Sequence, residues 1–461
     1  MLMKNNYIFV SAGMLKKKKK HQESHVYLNY ALLGLATILK SSENNVIVYQ
    51  GELFKPEKLI TSLVKKYKNK NNTILISIPS FFAVPWGIEF IKLVRSKLNC
   101  KIIIGGRWVL SDKNWALNTF KNVDLIVNGQ VEGVLTEILE NRNFSDTPEY
   151  IDVHLSNKSQ LFDKLDYELL DGFETILPSI ELSRGCGRGC GFCADKDVPV
   201  SVMKLPNKLI NEIQEINKIY NDKNIRFYLE ASIFNPKTIW IKEFYELYNK
   251  YNLKNQWRCE TRADNNLNEE NIKLLAQSGL KVIDLGLESA SYIQLKRMQK
   301  TNNPLKYLEK AQRFIRLCFK YRIWIKINIL LYPGETKETL KETIDFLECN
   351  KNYFKGLSVY PTLIYGSDKY AVNFLEEIKK YGASALNGNI EDNCITNLNL
   401  SSEINYEKAK ELSIQISKRF MTKDDYFDLK SFSYYPRGYM YNDFINHISK
   451  VEEEYLPFSI K

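Results

Sequence analysis

The sequence predicts an α/β protein with a doubly wound domain first, a series of strand–helix units next, and a mostly helical C-terminal region. Three observations predict this order. Short apolar runs alternate with helical patterns over residues 1–150. Six further strand–helix units follow from about residue 175, and the pattern beyond residue 366 is helical. The 461 residues are enough for two or three domains, each with a sizeable core.

Residues 1–150 contain apolar runs short enough for buried parallel strands, separated by segments with apolar residues at i, i+3 and i+4. A doubly wound domain binds its ligand at the carboxyl ends of its strands. Ser77, Gly105, Gly106 and Gly129 occupy such ends and are the candidate binding residues. The predicted strands are Tyr7–Val10, Val46–Tyr49, Thr73–Ile78, Ile102–Ile104 and Asp124–Val127, and the predicted helices are Tyr30–Leu39, Lys58–Tyr67 and Ile88–Leu98.

A stretch without strong periodicity, residues 151–174, is the predicted linker to the second domain at 175–366. The C-terminal region is predicted over 367–461, with helices at Val372–Tyr381 and Tyr406–Phe420. Helices such as Leu209–Tyr220 and Glu338–Leu347 separate the strands of the second domain. Those strands are predicted near Ile176–Leu182, Ile225–Leu229, Gln256–Arg262, Val282–Leu287, Ile323–Leu330 and Gly356–Pro361.

Three cysteines lie within one glycine-rich octapeptide, Cys186, Cys190 and Cys193, with the spacing C-x3-C-x2-C. A large chain with few cysteines does not use such close thiols as a disulfide framework. A tetrahedral zinc site needs a fourth cysteine or histidine, and none follows within the next thirty residues. Three thiolates suit a [4Fe–4S] cluster with one open iron, and the intervening glycines let backbone N–H groups face its sulfurs.

This loop resembles the signature of the radical S-adenosylmethionine (SAM) superfamily. The resemblance implies a partial (β/α)6 barrel at residues 175–366, with the working site at the carboxyl ends of its strands. It also implies that the open iron binds the amino and carboxylate groups of SAM, and that reduction cleaves SAM to a 5′-deoxyadenosyl radical. Phe192, directly before the third cysteine, is the residue that lies against adenine in the family.

Further phrases extend the resemblance along the barrel strands, over roughly residues 1–365 in all. Glu230 and Ser232 in FYLEASIFNP match positions that hold the methionine amino group. Arg262 in WRCETRAD suits the SAM carboxylate or a salt bridge at the barrel rim. Glu288 and Ser289 in KVIDLGLESAS match groups that bind the ribose hydroxyls or the methionine nitrogen.

The phrases KIIIGGRWVL and VDLIVNGQVEGVL resemble the cobalamin-binding domain that precedes the barrel in one subgroup of this superfamily. Gln130 stands where the subgroup usually has an acidic residue. The domain lacks an Asp-x-His-x-x-Gly motif, so no histidine is offered at the usual place as a lower cobalt ligand. The resemblance implies bound cobalamin, with a degenerate domain that has lost its cofactor as the alternative.

The composition limits the cellular locations and the binding partners that we expect. No apolar run reaches the length of a membrane span, and the N-terminus lacks the features of a signal peptide. We therefore expect a cytoplasmic enzyme. The net charge of +11 does not by itself indicate nucleic acid, and the run Lys16–Lys20 is interpreted as a solvated loop. A second Fe–S cluster is not expected, because Cys394 is the only cysteine after Cys349.

The leading hypothesis is a radical SAM enzyme that abstracts hydrogen from a carbon of a small-molecule or peptide substrate, with cobalamin-dependent C-methylation as its reaction. An external one-electron donor such as flavodoxin or ferredoxin is the expected partner. A cobalamin-independent dehydratase, epimerase or rearrangement enzyme is the alternative, and an RNA-modifying methylthiotransferase is disfavoured because the N-terminal domain has only Cys100. A non-catalytic Fe–S sensor or partner subunit is the contrasting class.

Overall fold

The computed structural model describes residues 5–14, 26–41, 43–68, 70–106, 108–140, 147–153 and 161–460. The lysine run 16–20 lies outside the described residues. The chain divides into two compact units. Unit 1 comprises residues up to Ile176 together with Tyr365–Ala371 and Asp392–Ile395, and unit 2 comprises the remainder. Among the described helices, none is both long and apolar enough to cross a bilayer.

Unit 1 contains a parallel sheet with the order β2-β1-β3-β4-β5-β6. The order reverses between β1 and β3, and such a switch point opens a crevice at the carboxyl ends of the two strands. The strands are β1 (Asn5–Ser11), β2 (Asn44–Gln50), β3 (Asn72–Ser77), β4 (Lys101–Gly105), β5 (Leu125–Asn128) and β6 (Glu149–Asp152). The helices are α1 (Tyr30–Leu39), α2 (Pro56–Tyr67), α3 (Val84–Lys97), α4 (Lys113–Thr119) and α5 (Leu135–Glu140).

The core of unit 1 follows from the alternation of its strands. Ile8 and Val10 on β1 and Ile74 and Ile76 on β3 are buried on one face, where they belong to the same cluster as Phe90 of α3. The residues of opposite parity, such as Ile103 and Val127, pack on the other face with Ile138 of α5. Strands buried on both faces explain the continuous apolar runs of the sequence.

Unit 2 contains six parallel strands in the sequential order β12-β11-β10-β9-β8-β7, with a helix or helix pair between consecutive strands. The strands are β7 (Ser179–Glu181), β8 (Phe227–Glu230), β9 (Trp257–Arg262), β10 (Leu280–Glu288), β11 (Trp324–Leu331) and β12 (Gly356–Pro361). The helices are α6 (Pro206–Ile219), α7 (Thr238–Lys250), α8 (Glu269–Gln277), α9 (Tyr292–Arg297), α10 (Pro304–Lys320) and α11 (Lys337–Asn350).

One face of this sheet is concave. The Tyr228 hydroxyl on β8 donates to Asp284 Oδ2 on β10 at 3.4 Å, across the intervening strand β9. Side chains on a flat sheet two strands apart do not meet in this way, because neighbouring strands are about 4.8 Å apart. The strands therefore curve around a polar lumen, as expected for a partial barrel, and the predicted fold class is confirmed.

The C-terminal region adds a helical cluster to unit 2. Met421, Leu429 and Phe444 pack with Phe458 and with Val282 of β10. The sequence did not predict a small sheet in this region, with the order β13-β15-β14. The remaining elements are β13 (Leu363–Tyr365), α12 (Lys369–Lys379), β14 (Ser384–Ala385), β15 (Ile395–Asn399), α13 (Tyr406–Phe420), α14 (Lys423–Ser431) and α15 (Tyr441–Ile448).

The predicted strands and helices are present with ends shifted by a few residues, helices α4 and α5 were not predicted, and two further differences concern the small C-terminal sheet and the linker. The small C-terminal sheet has strands of two to five residues, too short to give a clear period-2 pattern. Residues Ile151 and Asp152, assigned to the linker, complete β6, which pairs with β5. The later part of that stretch also carries backbone pairing, since Asp171 N donates to Val48 O at 2.9 Å.

Candidate functional site

The cysteine loop leaves β7 at its carboxyl end, and a second segment holds it in place. We call residues 198–205 the strap. The backbone N–H groups of Cys186 and Gly187 donate to Val198 O at 3.2 and 3.0 Å, and Ser201 N donates to Arg184 O at 2.8 Å. Gly185 has a φ of +75°, and a Cβ there would lie 2.1 Å from Pro199 O. Only glycine fits this close approach, so the loop conformation is a consequence of its glycines.

A buried ion pair fixes the start of the loop. Arg184 donates to both carboxylate oxygens of Glu181, at 2.6 and 3.3 Å, and the two side chains are 9% and 1% exposed. A bidentate guanidinium–carboxylate pair restricts both orientation and distance. The backbone that leads to Cys186 is therefore held rigidly before the first thiol is reached.

The three thiols lie in one electrostatic environment. Cys190 is buried, Cys186 and Cys193 are half-buried, and burial raises the pKa of both half-buried thiols. The positive charges of Arg262 and Lys300 act in the opposite direction on Cys186. Arg262 Nη1 also donates to Cys190 Sγ at 3.0 Å. Thiolate ligands carry negative charge, and these two cations are placed to offset it.

The donor set fits a cluster better than a mononuclear metal. Among the residues that the structure describes, no three His, Cys, Asp or Glu side chains converge closely enough to hold a single ion. The cysteines of a [4Fe–4S] cluster bind different irons and need not converge on one point. The Tyr332 hydroxyl also lies at the loop, 3.7 Å from the position of a Cβ on Gly191, and it is buried with no hydrogen-bond partner among the described residues. The loop therefore fits a cluster with a ligand beside it.

Glu288 and Lys300 form a second feature beside the loop. Lys300 Nζ donates to Glu288 Oε1 at 3.1 Å, with both side chains largely buried. Glu288 has a φ of +68° and Gln299 has a φ of +52°. Residues other than glycine rarely adopt this left-handed backbone conformation. Such strain is concentrated at functional sites. Lys300 Nζ also lies 5.9 Å from the centre of the Phe192 ring, so the predicted residues Phe192 and Glu288 share one environment.

Arg262 is fully engaged in the structure. Besides Cys190 it donates to both Asp264 carboxylate oxygens, at 2.8 and 3.2 Å, and to Lys300 O at 2.6 Å. Burial acts to raise the pKa of Asp264, but the Arg262 hydrogen bond and charge outweigh it, so this pKa is lowered. The sequence indicated two roles for Arg262, binding of the SAM carboxylate or a salt bridge at the barrel rim. The contacts seen here form the salt bridge.

Of the remaining predicted barrel residues, Glu230 and Ser232 lie near the lumen or the cysteine loop, whereas Ser289 supports the fold. Glu230 faces the lumen, and burial between the barrel walls raises its pKa to about 7. The Ser232 hydroxyl donates to Asp195 Oδ2 at 3.3 Å, near the third cysteine. Ser289 is buried and pairs with Thr343 Oγ1 at 3.1 Å, so its hydroxyl supports a turn beneath α11. Glu335 Oε1 accepts a hydrogen bond from the Thr339 hydroxyl at 2.5 Å.

Sequence reasoning missed a charged layer inside the lumen. Arg258 donates to both oxygens of Asp284, at 2.6 and 2.7 Å, and Lys326 Nζ donates to Asp284 Oδ1 at 3.0 Å. These contacts outweigh the burial of Asp284 and keep its pKa far below the ordinary range. The signal was present in the sequence: polar residues occupy alternate positions of WRCETR and WIKINILL, where the intervening residues are apolar or buried.

Glu260 is the other lumen residue that was missed. Its side chain is reached by water, whereas its neighbours Cys259 and Thr261 are buried on the helix side. The barrel walls still remove much of its hydration, and Asp284 and Glu230 add negative charge. Its pKa is raised to about 8. A carboxyl group that is largely protonated at neutral pH therefore faces the open lumen, two residues before Arg262 on the same strand face.

The crevice of unit 1 contains small and uncharged groups. Asn29 Nδ2 donates to Ser11 Oγ at 3.1 Å and to the predicted residue Ser77 at 3.0 Å, which joins the ends of β1 and β3 at the switch point. A Cβ on Gly106 would lie 2.5 Å from Ile78 O, whereas one on Gly105 would meet nothing closer than 3.8 Å. Sequence reasoning missed Ser11 and Asn29.

Asn128 and Gly129 form the far end of the crevice, after strand β5. Gly129 has a φ of +106°. The buried side-chain oxygen of the preceding Asn128 has no hydrogen-bond partner among the residues described. An unpaired buried oxygen costs free energy unless a ligand or water satisfies it. The small residues and this oxygen fit a large cofactor that approaches the backbone closely.

Comparison with known proteins gives the family of the barrel. Residues 180–347 match the family described as the radical SAM superfamily. No curated protein sequence matched the chain.

Two solved structures are similar over most of the chain. One is TsrM from Kitasatospora setae, a radical SAM methyltransferase solved with cobalamin and a [4Fe–4S] cluster bound; the TM-score is 0.60 at 16% identity, covering 78% of this chain and 75% of that one. The other is OxsB, a cobalamin-dependent radical SAM enzyme solved with aqua-cobalamin; the TM-score is 0.63 at 16% identity, covering 92% and 67%.

At 16% identity these similarities establish the fold of both units. The family match covers all three cysteines and the strand ends from β7 to β11. The resemblance inferred from the cysteine motif is confirmed. Residues 180–347 of this chain are a radical SAM domain, and the fold as a whole is that of cobalamin-dependent radical SAM enzymes.

Proposed function

We propose that this protein is a cobalamin-dependent radical SAM enzyme that methylates a carbon atom of a small-molecule or peptide substrate. The proposal rests on one observation, the chemical environment of the cysteine loop. Three thiols are gathered beside two buried cations, Arg262 and Lys300, and a strained carboxylate, Glu288. When bound at Cys186, Cys190 and Cys193, a [4Fe–4S] cluster supplies the electron that cleaves SAM to a 5′-deoxyadenosyl radical.

The residues around the loop have distinct roles in this proposal. Arg262 stabilises the thiolate of Cys190 and is itself held by Asp264. Glu288 and Glu230 offer carboxylates to the ammonium and hydroxyl groups of SAM, and Phe192 offers a ring face to adenine. Tyr332 offers a buried hydroxyl with no partner in the described structure, beside Gly191. The barrel walls exclude water from a reactive radical.

Unit 1 supplies the support for the methyl-transfer part of the proposal. Cobalamin, when bound, supplies a transferable methyl group. Ser77, Gly105, Gly106 and Gly129 would hold it, with Ser11 and Asn29 at the switch point. The sequence lacks the Asp-x-His-x-x-Gly motif, so no histidine of that motif would help to hold the cofactor.

The test is anaerobic incubation of the reconstituted protein with hydroxocobalamin, followed by desalting, reduction of the corrin to cob(I)alamin with titanium(III) citrate, and addition of SAM carrying a labelled methyl group. S-adenosylhomocysteine is measured as the co-product. Near-stoichiometric corrin and labelled methylcobalamin are expected, because the second step reads out methyl transfer without a known substrate. Formation of 5′-deoxyadenosine under strong reductant is expected in the same sample. Protein that forms 5′-deoxyadenosine but retains no corrin would refute methyl transfer and favour a cobalamin-independent dehydration, epimerisation or rearrangement.

A further inference from the structure

The C-terminal region closes the floor of the barrel lumen. Arg258 Nη1 donates to Leu429 O at 2.7 Å, and the Arg258 guanidinium lies 4.6 Å from the centre of the Tyr434 ring. Val282, which pairs with Arg258 in the sheet, packs in the same cluster as Leu429. Arg258 is the second residue of β9, so this closure lies at the amino-terminal end of the strands. A ligand in the lumen is therefore held between this floor and the cysteine loop.

A ring of charged side chains lies above this floor. Glu260 pairs in register with Asp284, and Asp284 pairs with Lys326, so these side chains point to the same face of the sheet. The register of β8 with β9 puts Glu230 at the height of Glu260. We call these four residues the lumen ring. The ring contains three carboxyl groups and one ammonium group.

Glu260 is the member of the ring that is available to a ligand. Asp284 accepts from Lys326 and from the Arg258 guanidinium, whereas Glu260 is exposed to the lumen. The charges that act most strongly on Glu260 come from three carboxyl groups and one ammonium group, those of Asp284, Glu230, Glu288 and Lys326. Burial and this negative potential together raise its pKa to about 8. A cationic group is the ligand that such a potential attracts.

The lumen ring lies one step below the residues proposed to bind SAM. Gly286 follows Asp284 on the lumen face of β10, and a Cβ on Gly286 would lie 2.8 Å from Glu288 Oε1 and 3.3 Å from Lys300 Nζ. The Glu288–Lys300 pair therefore covers Gly286. Two residues along a strand span about 6.6 Å, so a substrate of a few carbon atoms anchored at Glu260 spans the distance to this pair.

We propose that Glu260 binds a protonated amino group of the substrate, so that the enzyme acts on a primary amine, either a small molecule or the lysine side chain of a peptide. The inference rests on the proposed function, because it concerns the substrate of that reaction. A metal ion does not fit as the cation, since in the part of the chain that the structure describes no three such side chains converge on one ion. No covalent bond to the substrate forms: the Glu260 carboxyl releases its proton to solvent as the ammonium group arrives.

The experiment counts the protons released when an amine binds. Reconstituted protein with an oxidised cluster and saturating SAM is titrated calorimetrically at pH 7 with phenethylamine and with a capped tripeptide that has a central lysine. The uncharged counterparts are 2-phenylethanol and the norleucine tripeptide. Each titration is run in phosphate and in HEPES, because buffers with different heats of ionisation report proton release. Saturating SAM occupies its own site, so the signal comes from a second amine.

At least one amine is expected to bind with release of about one proton, because Glu260 is largely protonated at pH 7 before binding. Its uncharged counterpart is expected to bind about tenfold more weakly and to release no proton. Glu260→Gln is expected to abolish proton release and to weaken amine binding by about tenfold, with iron and corrin content unchanged.

Glu309→Gln on the exposed side of α10 is the matched control and is expected to behave as the wild type. Binding of phenethylamine supports a small amine as the substrate, and binding of the lysine tripeptide alone supports a peptide. The proposal is overturned if neither amine binds, if the uncharged counterparts bind equally well, or if Glu260→Gln still releases the proton. Failure of the proposed function looks different: the wild type would then form no 5′-deoxyadenosine even with dithionite, whichever amine it binds.

Discussion

The two candidate binding regions of this protein are built from opposite kinds of residue. The barrel site contains Arg262, Lys300, Glu288 and Glu230, with left-handed backbone at Glu288. The crevice of unit 1 contains serine, asparagine and glycine residues. The difference follows from the ligands that each region is proposed to hold. A charged cluster and a zwitterionic sulfonium need fixed counter-charges, whereas a corrin needs space close to the backbone.

Because the two regions use different residues, we predict that substitutions in one region remove its own ligand and leave the other bound. The largest expected effect is loss of the cluster. Simultaneous Cys186→Ala, Cys190→Ala and Cys193→Ala substitution is expected to reduce bound iron from about four per chain to none. Corrin binding is expected to persist, because the crevice uses none of these residues. Iron, sulfide and corrin content are measured on the same reconstituted samples.

Cys349→Ala is the control for that experiment, because Cys349 is an exposed free thiol outside the loop. It is expected to retain all the iron. Retention of a full cluster by the triple variant would contradict the assignment of the three ligands.

The barrel is also expected to depend on its charges for stability. Arg258→Met removes the bidentate partner of Asp284 and leaves Lys326 as its remaining cation, and the Arg258 and Asp284 side chains are 0% and 4% exposed. Breaking a buried ion pair on one side costs about 3–5 kcal/mol, since the remaining charge stays buried. Urea unfolding at pH 7 measures the free energy. Arg419→Met, which breaks a pair with Glu348 at the surface, is the control and is expected to leave the free energy of unfolding nearly unchanged.

The crevice is expected to depend on space instead. Gly106→Ala places a Cβ 2.5 Å from Ile78 O, so the strand ends must move apart. A cost of about 1–3 kcal/mol is typical of such overpacking, and corrin retention is expected to fall with iron content unchanged. Gly133→Ala is the control, because its Cβ meets nothing within 4 Å. Equal corrin retention by both variants would remove the crevice from the proposed binding site.

SAM binding is expected to be sensitive to one carboxylate. Glu288→Ala is expected to weaken SAM binding by about tenfold, or ~1.4 kcal/mol, without loss of iron. Isothermal titration of SAM to the oxidised, reconstituted protein measures this change. Glu309→Ala on the exposed side of α10 is the matched control. Unchanged affinity in Glu288→Ala would show that the Glu288–Lys300 pair serves the fold of the barrel alone.

The smallest expected effect concerns pH. The pKa of Glu260 is about 8, above its ordinary value of 4.5, because burial and the charges of Asp284 and Glu230 favour the protonated form. The folded protein therefore holds a proton that the unfolded chain releases near pH 4.5. Glu260 lowers stability increasingly as the pH rises from about 4.5 to about 8.

Glu260→Gln removes this penalty. The melting temperature of this variant is expected to match that of the wild type at pH 5 and to exceed it by a few degrees at pH 8.5. Glu309→Gln is expected to show no such pH-dependent difference. A difference that is constant with pH would contradict the raised pKa.

The sequence by itself determined the parts of this protein that depend on neighbours along the chain. Helices α1 and α13 and strand β12 begin and end where their periodicity predicts. The cysteine loop was identified from eight consecutive residues, because thiol spacing and glycine content are local properties. Glu230 and Glu288 were predicted as site residues because the carboxyl ends of parallel barrel strands carry the site, and Phe192 was predicted from its position before the third cysteine.

Only the tertiary structure decided which of these groups meet. Arg258 donates to Leu429 O from 171 positions away, at 2.7 Å, and the Tyr228–Asp284 contact depends on the curvature of the sheet. For Arg262 the sequence left open the SAM carboxylate or a salt bridge at the barrel rim, and only the structure shows its contacts with Asp264 and Cys190. The electrostatic environment of Glu260 comes from residues on three other strands. Periodicity shows which face of an element a side chain occupies, whereas its partners and its pKa depend on what the folded chain brings against that face.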